Sequence, residues 1–444
     1  MKINKFIGEN PQLFSGQSQY SSDDFLRDIE QYRRLIKTTI AKRSSIKVML
    51  YDANLYRFLV RFLALGIENV RVILPPNEQI GTLENIAESA DYTAGNISIN
   101  DMPSIEGACL STEKISAPSW PESGEVIFFT SGTSGKPKAI IKDWTLLNKE
   151  LLTLEKLFPM SAENVFVSTV SHQHIYGLLF RALLPLKKGN TVYQTHEFPE
   201  HIASVIRQHK HVVLVSSPAF LSRLVEDNVI ATYQHHLHVV FCSGGKLETS
   251  HALSLFEQFH KPITQIYGST ESGGIAYRHV CKPSDELWQL FPGVECDVES
   301  SSHRLLLHSP FVKEETIQLD DICQIEQGKL RLLGRIDRTI KLEEKRVNLT
   351  HMEQVCCQHE WTESVKLFEL KQQRTTIAAV VVLSPLGKLA LAEQGSRGVT
   401  VQLKIFLQQY FERVTLPRKW RFVEHFPYNT QGKLPMIELE KLFV

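Results

Sequence analysis

From Ile46 onward the chain alternates short apolar runs with amphipathic stretches. Ile46 to Tyr51 is an apolar, β-favouring run that predicts a strand. Leu55, Phe58, Leu59, Phe62 and Leu63 then recur at helical spacing, with Asp52 placed to cap the helix and Gly66 to end it. Val70 to Leu74 predicts a second strand, stopped by Pro75 and Pro76. Strand, helix and strand in that order form a βαβ unit, which implies parallel strands and a right-handed crossover.

Val212 to Val215 and Val239 to Cys242 are continuous apolar runs, as suits strands buried on both faces. They end in the turns Ser216-Ser217-Pro218 and Ser243-Gly244-Gly245. Ligands of parallel sheets bind beyond the carboxyl ends of the strands, so both turns are candidate sites. Toward the carboxy terminus the pattern changes. Val365 to Phe368, Ile377 to Leu383 and Phe422-Val423 predict strands, and Leu403, Phe406, Leu407, Tyr410 and Phe411 predict one face of an amphipathic helix. The expectation is an α/β protein: a large domain over 1–334 with parallel-rich sheets and helices, and a small mobile α+β domain over 335–444.

Length and charge narrow the function. At roughly 150 residues per domain, 444 residues allow two to four units. The 49 basic and 49 acidic side chains cancel, which argues against nucleic-acid or anionic-membrane partners but leaves room for a local phosphate site. No apolar run approaches the roughly 20 residues of a membrane span. The start lacks the apolar core of a signal peptide. Seven cysteines without repeated spacing read as reduced thiols of a cytoplasmic protein.

The sharpest chemical feature runs from Phe128 to Lys138. An apolar strand leads into Thr130, Ser131, Gly132, Thr133, Ser134, Gly135, Lys136, Pro137 and Lys138. Glycines let backbone N–H groups face an anion, hydroxyls add donors and lysines add charge. It is not a Walker A loop, because Thr130 stands where its first glycine belongs and Pro137 follows Lys136.

Thr130 to Lys138 resembles the phosphate loop of the adenylate-forming superfamily, which comprises acyl- and aryl-CoA ligases, peptide-synthetase adenylation domains and luciferases. Ala139 replaces the usual glycine. Further matches follow in family order. In Tyr267-Gly268-Ser269-Thr270-Glu271 the resemblance implies that Tyr267 lies against adenine, Thr270 contacts the α-phosphate and Glu271 helps hold Mg²⁺. Ser243-Gly244-Gly245 resembles a turn lining adenine and the acyl pocket. Asp320 or Asp321 would hold the ribose hydroxyls; the apolar Ile322 favours Asp321, although the Thr-Gly that usually precedes it is absent. Gly334 to Lys341 resembles the hinge motif, with Arg335 reaching the ribose and Asp337 as pivot.

The resemblance continues at Pro427 to Pro435, where Lys433 would enter the active site as the catalytic lysine. A mobile cation there opposes the repulsion between an attacking carboxylate and an α-phosphate. His174-Ile175-Tyr176-Gly177 resembles the segment of aryl-CoA ligases in which a histidine gates the carboxylate site and an aromatic residue lines the acyl pocket. Tyr176 there implies an aryl or medium-length acid.

The implied activity is ATP- and Mg²⁺-dependent formation of an acyl-AMP, then transfer to the thiol of an acyl carrier protein or CoA. Glu344 stands where the family has glycine in the loop shaping the thiol tunnel, and Leu349 and His351 replace the usual Pro and Glu. The short amino-terminal region resembles compact bacterial members that load carrier proteins. These departures keep a degenerate nucleotide- or acyl-AMP-binding protein as the alternative.

Overall fold

The computed structural model describes residues 2–443 apart from 11, 17, 41–44, 100, 108–117, 132–136, 194–198, 228–229, 301, 336–337, 343–344, 372–374, 412 and 429–433. Packing divides the chain into two units: Met1–Val294 with Ser309–Glu315, and Glu295–His308 with Thr316–Val444. By packing, the division falls ahead of the 334/335 boundary read from sequence. Gly334 lies in the last strand of an antiparallel sheet, Glu295–Val298, Arg304–His308, Ile317–Glu326 and Lys329–Arg335, that groups with the carboxy-terminal residues.

The first unit is α/β and built on two sheets. One runs in the order Tyr92–Gly95, Lys47–Tyr51, Arg71–Leu74, Glu125–Ser131, Pro137–Asp143. Its first four strands are parallel and the last pairs antiparallel. The βαβ unit stands as read: Lys47–Tyr51, helix Leu55–Ile67 and Arg71–Leu74, with Val48 opposite Val72. The other sheet has eight strands, Phe14–Ser15, Thr191–Tyr193, Val165–Ser168, Val212–Ser216, Leu237–Cys242, Ile263–Ser269, Gly273–His279 and Gln289–Leu290. All pairings as far as Ile263–Ser269 are parallel, and the last two are antiparallel. The Val212 and Val240 runs are buried, as their unbroken apolar pattern requires.

Two local expectations are corrected. Asn54, not Asp52, caps the Leu55–Ile67 helix, its side-chain oxygen accepting from the Arg57 amide at 3.0 Å. Asp52 is fully buried and instead receives the Asn54 amide at 2.9 Å and Arg61 Nη1 at 2.6 Å. Gly66 does not end the helix, which continues to Ile67. Glycine stands there because a Cβ would lie 2.8 Å from Nε1 of the fully buried Trp144.

In the second unit, Thr362–Lys371, Thr375–Leu383 and Lys419–Val423 form the expected sheet. Leu403 and Leu407 pack in its core, but the helix stops at Leu407, so Tyr410 lies beyond it and is exposed. A kink at Gly395, with φ 69°, divides the helix Pro385–Leu407.

Gly66→Ala gains helix propensity of about 1 kcal/mol, yet overpacking a rigid indole costs about 1–3 kcal/mol. The expected outcome is a lower melting midpoint for the first unit by circular dichroism; a raised midpoint would mean that Trp144 yields.

Candidate active site

Parallel register places the ends of several strands at one level. Ser168 pairs with Val215, Ser216 with Cys242, and Cys242 with Gln265. The segments that follow, from Thr169, Ser217, Ser243 and Ile266, therefore emerge along one edge of the sheet. Thr169 Oγ1 and Ser216 Oγ are 2.9 Å apart, and Ser243 Oγ donates to the Ile266 carbonyl at 2.9 Å, tying neighbouring ends together. Gly244 adopts φ 88°, a left-handed conformation that suits glycine, and Gly245 lies against Pro218. Both sequence-derived turns thus occupy the edge where parallel sheets bind ligands.

The Tyr267 to Glu271 segment begins in the strand Ile263–Ser269 and turns at Thr270 and Glu271 into Gly273–His279. Backbone approach at the turn is close: a Cβ on Gly268 would meet the Gly273 carbonyl oxygen at 2.3 Å. Ser269 and Ser272 close it reciprocally, each amide donating to the other's hydroxyl, at 2.9 and 3.1 Å. Behind the turn, Gln265 Oε1 accepts from Arg278 Nε and Nη2 at 3.2 and 3.0 Å. Arg278 lies over Trp288 at 4.5 Å, and Trp288 meets the Tyr267 ring at 5.8 Å. Arg278 and Trp288, which no sequence motif marks, thus stand beside the Tyr267 ring through cross-strand pairing.

The phosphate-loop segment is a hairpin, with Thr130 opposite Lys138 and Ser131 opposite Pro137. Its connecting residues Gly132, Thr133, Ser134, Gly135 and Lys136 lie outside the described residues. Lys138 Nζ stands 3.9 Å from Glu271 Oε1, so the hairpin and the acidic turn meet.

The His174 segment follows the strand Val165–Ser168. His174 occupies the N-cap position of the short helix Ile175–Gly177, and Tyr176 donates from its hydroxyl to the Ser216 carbonyl at 3.2 Å. Gly177 is pressed on the preceding loop, where a Cβ would stand 2.0 Å from the Ser171 carbonyl oxygen. His172 is buried, bonded through Nε2 to the Asp52 carbonyl at 2.7 Å, and burial holds its pKa well below the ordinary value. Arg181, in a π-helical turn Leu178–Leu183, is also buried, and burial draws its pKa down to about 9. Its Nη1 donates to the Val170 carbonyl at 2.8 Å, while Nε and Nη2 have no partner among the described residues. π-helical turns concentrate at functional sites, but no sequence period announces one.

In the second unit Asp321 and Arg335 are direct partners across antiparallel strands, with Nη1 3.7 Å from Oδ2. Asp320 is exposed on the neighbouring position, 3.9 Å from Arg335 Nη2. Arg338 is anchored to Glu353 at 2.6 Å and to the Leu367 carbonyl at 2.7 Å. Asp337, Glu344 and Lys433 lie outside the described residues.

In the first unit, then, a lysine-bearing hairpin meets an acidic turn at the strand ends of a parallel-rich α/β fold. Residues 38–303, more than half of the chain, match the family model described as AMP-binding enzyme, and the chain belongs to that family. It is similar to a 3,4-dihydroxybenzoate–(aryl-carrier protein) ligase of Bacillus anthracis, 21% identical over 323 residues, covering 72% of this chain and 74% of the relative. It is also similar to a 4-coumarate–CoA ligase of Halorhodospira halophila, 25% identical over 321 residues, covering 69% and 74%. The fold matches that of ATP-bound MatB from Rhodopseudomonas palustris with a TM-score of 0.81 at 15% identity, over 100% of this chain and 99% of that one. No helix among the described residues is long and apolar enough to cross a membrane, and each described cysteine is a free thiol.

Two glycines separate steric from conformational constraint. Gly244→Ala has open space around it but a left-handed φ, worth about 1–2 kcal/mol. Gly177→Ala drives a Cβ into fixed backbone and is expected to lower the melting midpoint further than Gly244→Ala. The reverse order in a thermal melt would show that the Ser171 loop moves aside.

Proposed function

We propose that this chain activates an aryl or medium-length carboxylic acid as acyl-AMP, with pyrophosphate release, and passes the acyl group to the thiol of an acyl carrier protein or CoA. The observation that carries this reading is the meeting of Lys138 with Glu271 at the edge where the parallel strands end. It places a cation and a carboxylate beside the turns that the resemblance assigns to phosphate and adenine. Family membership and the ligase names of the two relatives support the same reaction class.

In the first step a carboxylate oxygen attacks the α-phosphorus and the bond to the bridging oxygen breaks, releasing pyrophosphate. The backbone of the Thr130–Lys138 hairpin and the Thr270 hydroxyl bind phosphoryl oxygens, Tyr267 lies against adenine, and Asp321 with Arg335 holds the ribose. Glu271 fits magnesium, since that ion uses one or two carboxylates together with substrate phosphates, and its carboxylate sits half-exposed on a fixed turn. Magnesium, when bound, supplies charge neutralisation for the phosphates. Lys433 opposes the growing negative charge between carboxylate and phosphate. Tyr176 and Gly177 border the acyl group, and His174 guards the carboxylate. The segment about Asp337 then serves as the hinge between the 1–334 and 335–444 domains. A thiol attacks the acyl carbonyl, loses its proton, and AMP departs.

ATP–pyrophosphate exchange over a panel of aryl, cinnamyl and short-to-long fatty acids tests the reading, repeated with CoA and with a phosphopantetheinylated carrier protein. Exchange with an aryl or medium-length class supports it. Best turnover of long-chain acids would overturn the Tyr176 assignment, and ATP binding without exchange for any acid would make the chain a nucleotide-binding protein. Lys433→Ala is expected to lower acyl-AMP formation roughly 10²–10³-fold with ATP affinity retained; an unchanged rate removes Lys433 from the chemistry.

A further inference from the structure

Glu271 is served by two lysines of one strand, in different ways. Lys138 and Lys142 are four positions apart in Pro137–Asp143, so their side chains leave the same face. Lys138 is exposed and approaches the Glu271 carboxylate. Lys142 is buried, and its ammonium donates to the Glu271 carbonyl at 2.7 Å and to the Phe311 carbonyl at 2.9 Å.

The far side of the same turn rests on Glu150, buried in the helix Trp144–Leu157. Its Oε1 accepts the Gly274 amide at 2.7 Å. Its Oε2 packs against Gly273, where a Cβ would come within 2.7 Å. Burial pushes the Glu150 carboxyl up to about 7, while the Gly274 amide and the Lys142 charge draw it back. Burial likewise holds the Lys142 ammonium below the usual lysine range, and Glu150 has the strongest opposing pull among the neighbouring acids.

Two buried titratable groups, on consecutive elements, thus grip the backbone on either side of Ser272, at Glu271 and at Gly274. Neither is among the residues assigned above to acid, nucleotide or metal. Apolar side chains would fill that space without the desolvation that burying an ammonium and a carboxyl entails. We propose that Lys142 and Glu150 are positioning residues that fix the Glu271–Gly274 turn against the phosphate-loop strand, and so aim the Glu271 carboxylate at the metal and phosphates. This rests on the role given to Glu271 above.

The test has two arms, both on the full-length chain. Amide hydrogen exchange followed by mass spectrometry reads the turn itself. Lys142→Met and Glu150→Ala are expected to accelerate exchange of the 265–276 segment at least tenfold while the parallel strands Val165–Ser168, Val212–Ser216 and Leu237–Cys242 stay protected; unaltered exchange of 265–276 overturns the positioning. ATP binding by calorimetry, with magnesium and with EDTA, reads the consequence. Lys142→Met is expected to lose most of the magnesium-dependent gain in affinity, with EDTA values unchanged, and Glu150→Gln, which keeps an acceptor for the Gly274 amide, to stay within about threefold of the parent.

A full magnesium gain in Lys142→Met, when Glu271→Gln has lost it, overturns the inference. A full gain in Glu271→Gln itself overturns the metal role of Glu271 instead, and the exchange arm alone then decides whether the two residues hold the turn. If Lys142→Met fails to fold, Glu150→Ala carries both arms.

Discussion

Parallel pairing across Val165–Ser168, Val212–Ser216, Leu237–Cys242 and Ile263–Ser269 is the constraint on which the site depends. Strands buried on both faces cannot slip by one residue without exchanging two apolar surfaces. Their ends are therefore held at one level by the core. The turns that follow hold little stability of their own and take their positions from this register. It brings Tyr176 under the Ser216 carbonyl and lets Ser243 reach the Ile266 carbonyl. The switch to antiparallel pairing at Gly273–His279 sends the chain straight back over the edge, which leaves Thr270 and Glu271 at its rim.

Charged side chains, buried or half-buried, tie down the backbone of the first unit. Arg181 reaches Val170, Arg278 lies between Gln265 and Trp288, Arg61 pairs with Asp52, and Lys142 holds the acidic turn. Removing one member of a buried ionic arrangement typically costs about 3–5 kcal/mol, whereas replacing the whole arrangement by apolar side chains is often neutral. Stability alone therefore does not account for so many. What they share is a hydrogen bond to backbone or to a neighbouring polar group at a strand end, where apolar packing could not set direction.

Much of this was legible in the sequence, for physical reasons that differ by element. Continuous apolar runs marked the buried strands because both faces need burial. The helical spacing of Leu55 to Leu63 marked the first crossover. The meaning of Gly66 was not legible, since a glycine near a helix end reads as a stop and only the tertiary contact with Trp144 reveals a steric need. Asp52 failed for a similar reason: capping chemistry fits two residues, and burial beside Arg61 decided between them. Among site residues, those with a compositional signature, such as Tyr267 to Glu271 and Gly244-Gly245, stood out. Lys142, Glu150, Arg181 and Arg278 did not, because each meets its hydrogen-bond partners only through the fold.

The contrast between Lys138 and Lys142 shows how one residue type serves two purposes through solvation. An exposed lysine 3.9 Å from a carboxylate is worth at most about 1 kcal/mol, and less in salt. Such a pair opens readily, so a phosphate group or a cation can take the place of either partner. Lys142 is different, because its two carbonyl acceptors lie in the interior and water does not replace them. Breaking those bonds leaves a buried ammonium with unmet donors, which is far more costly than separating a surface pair. The Glu271 backbone is thus held stiffly while its side chain stays exchangeable. That division suits the role proposed for Glu271, since the carboxylate is free to change partner without the turn that carries it changing place.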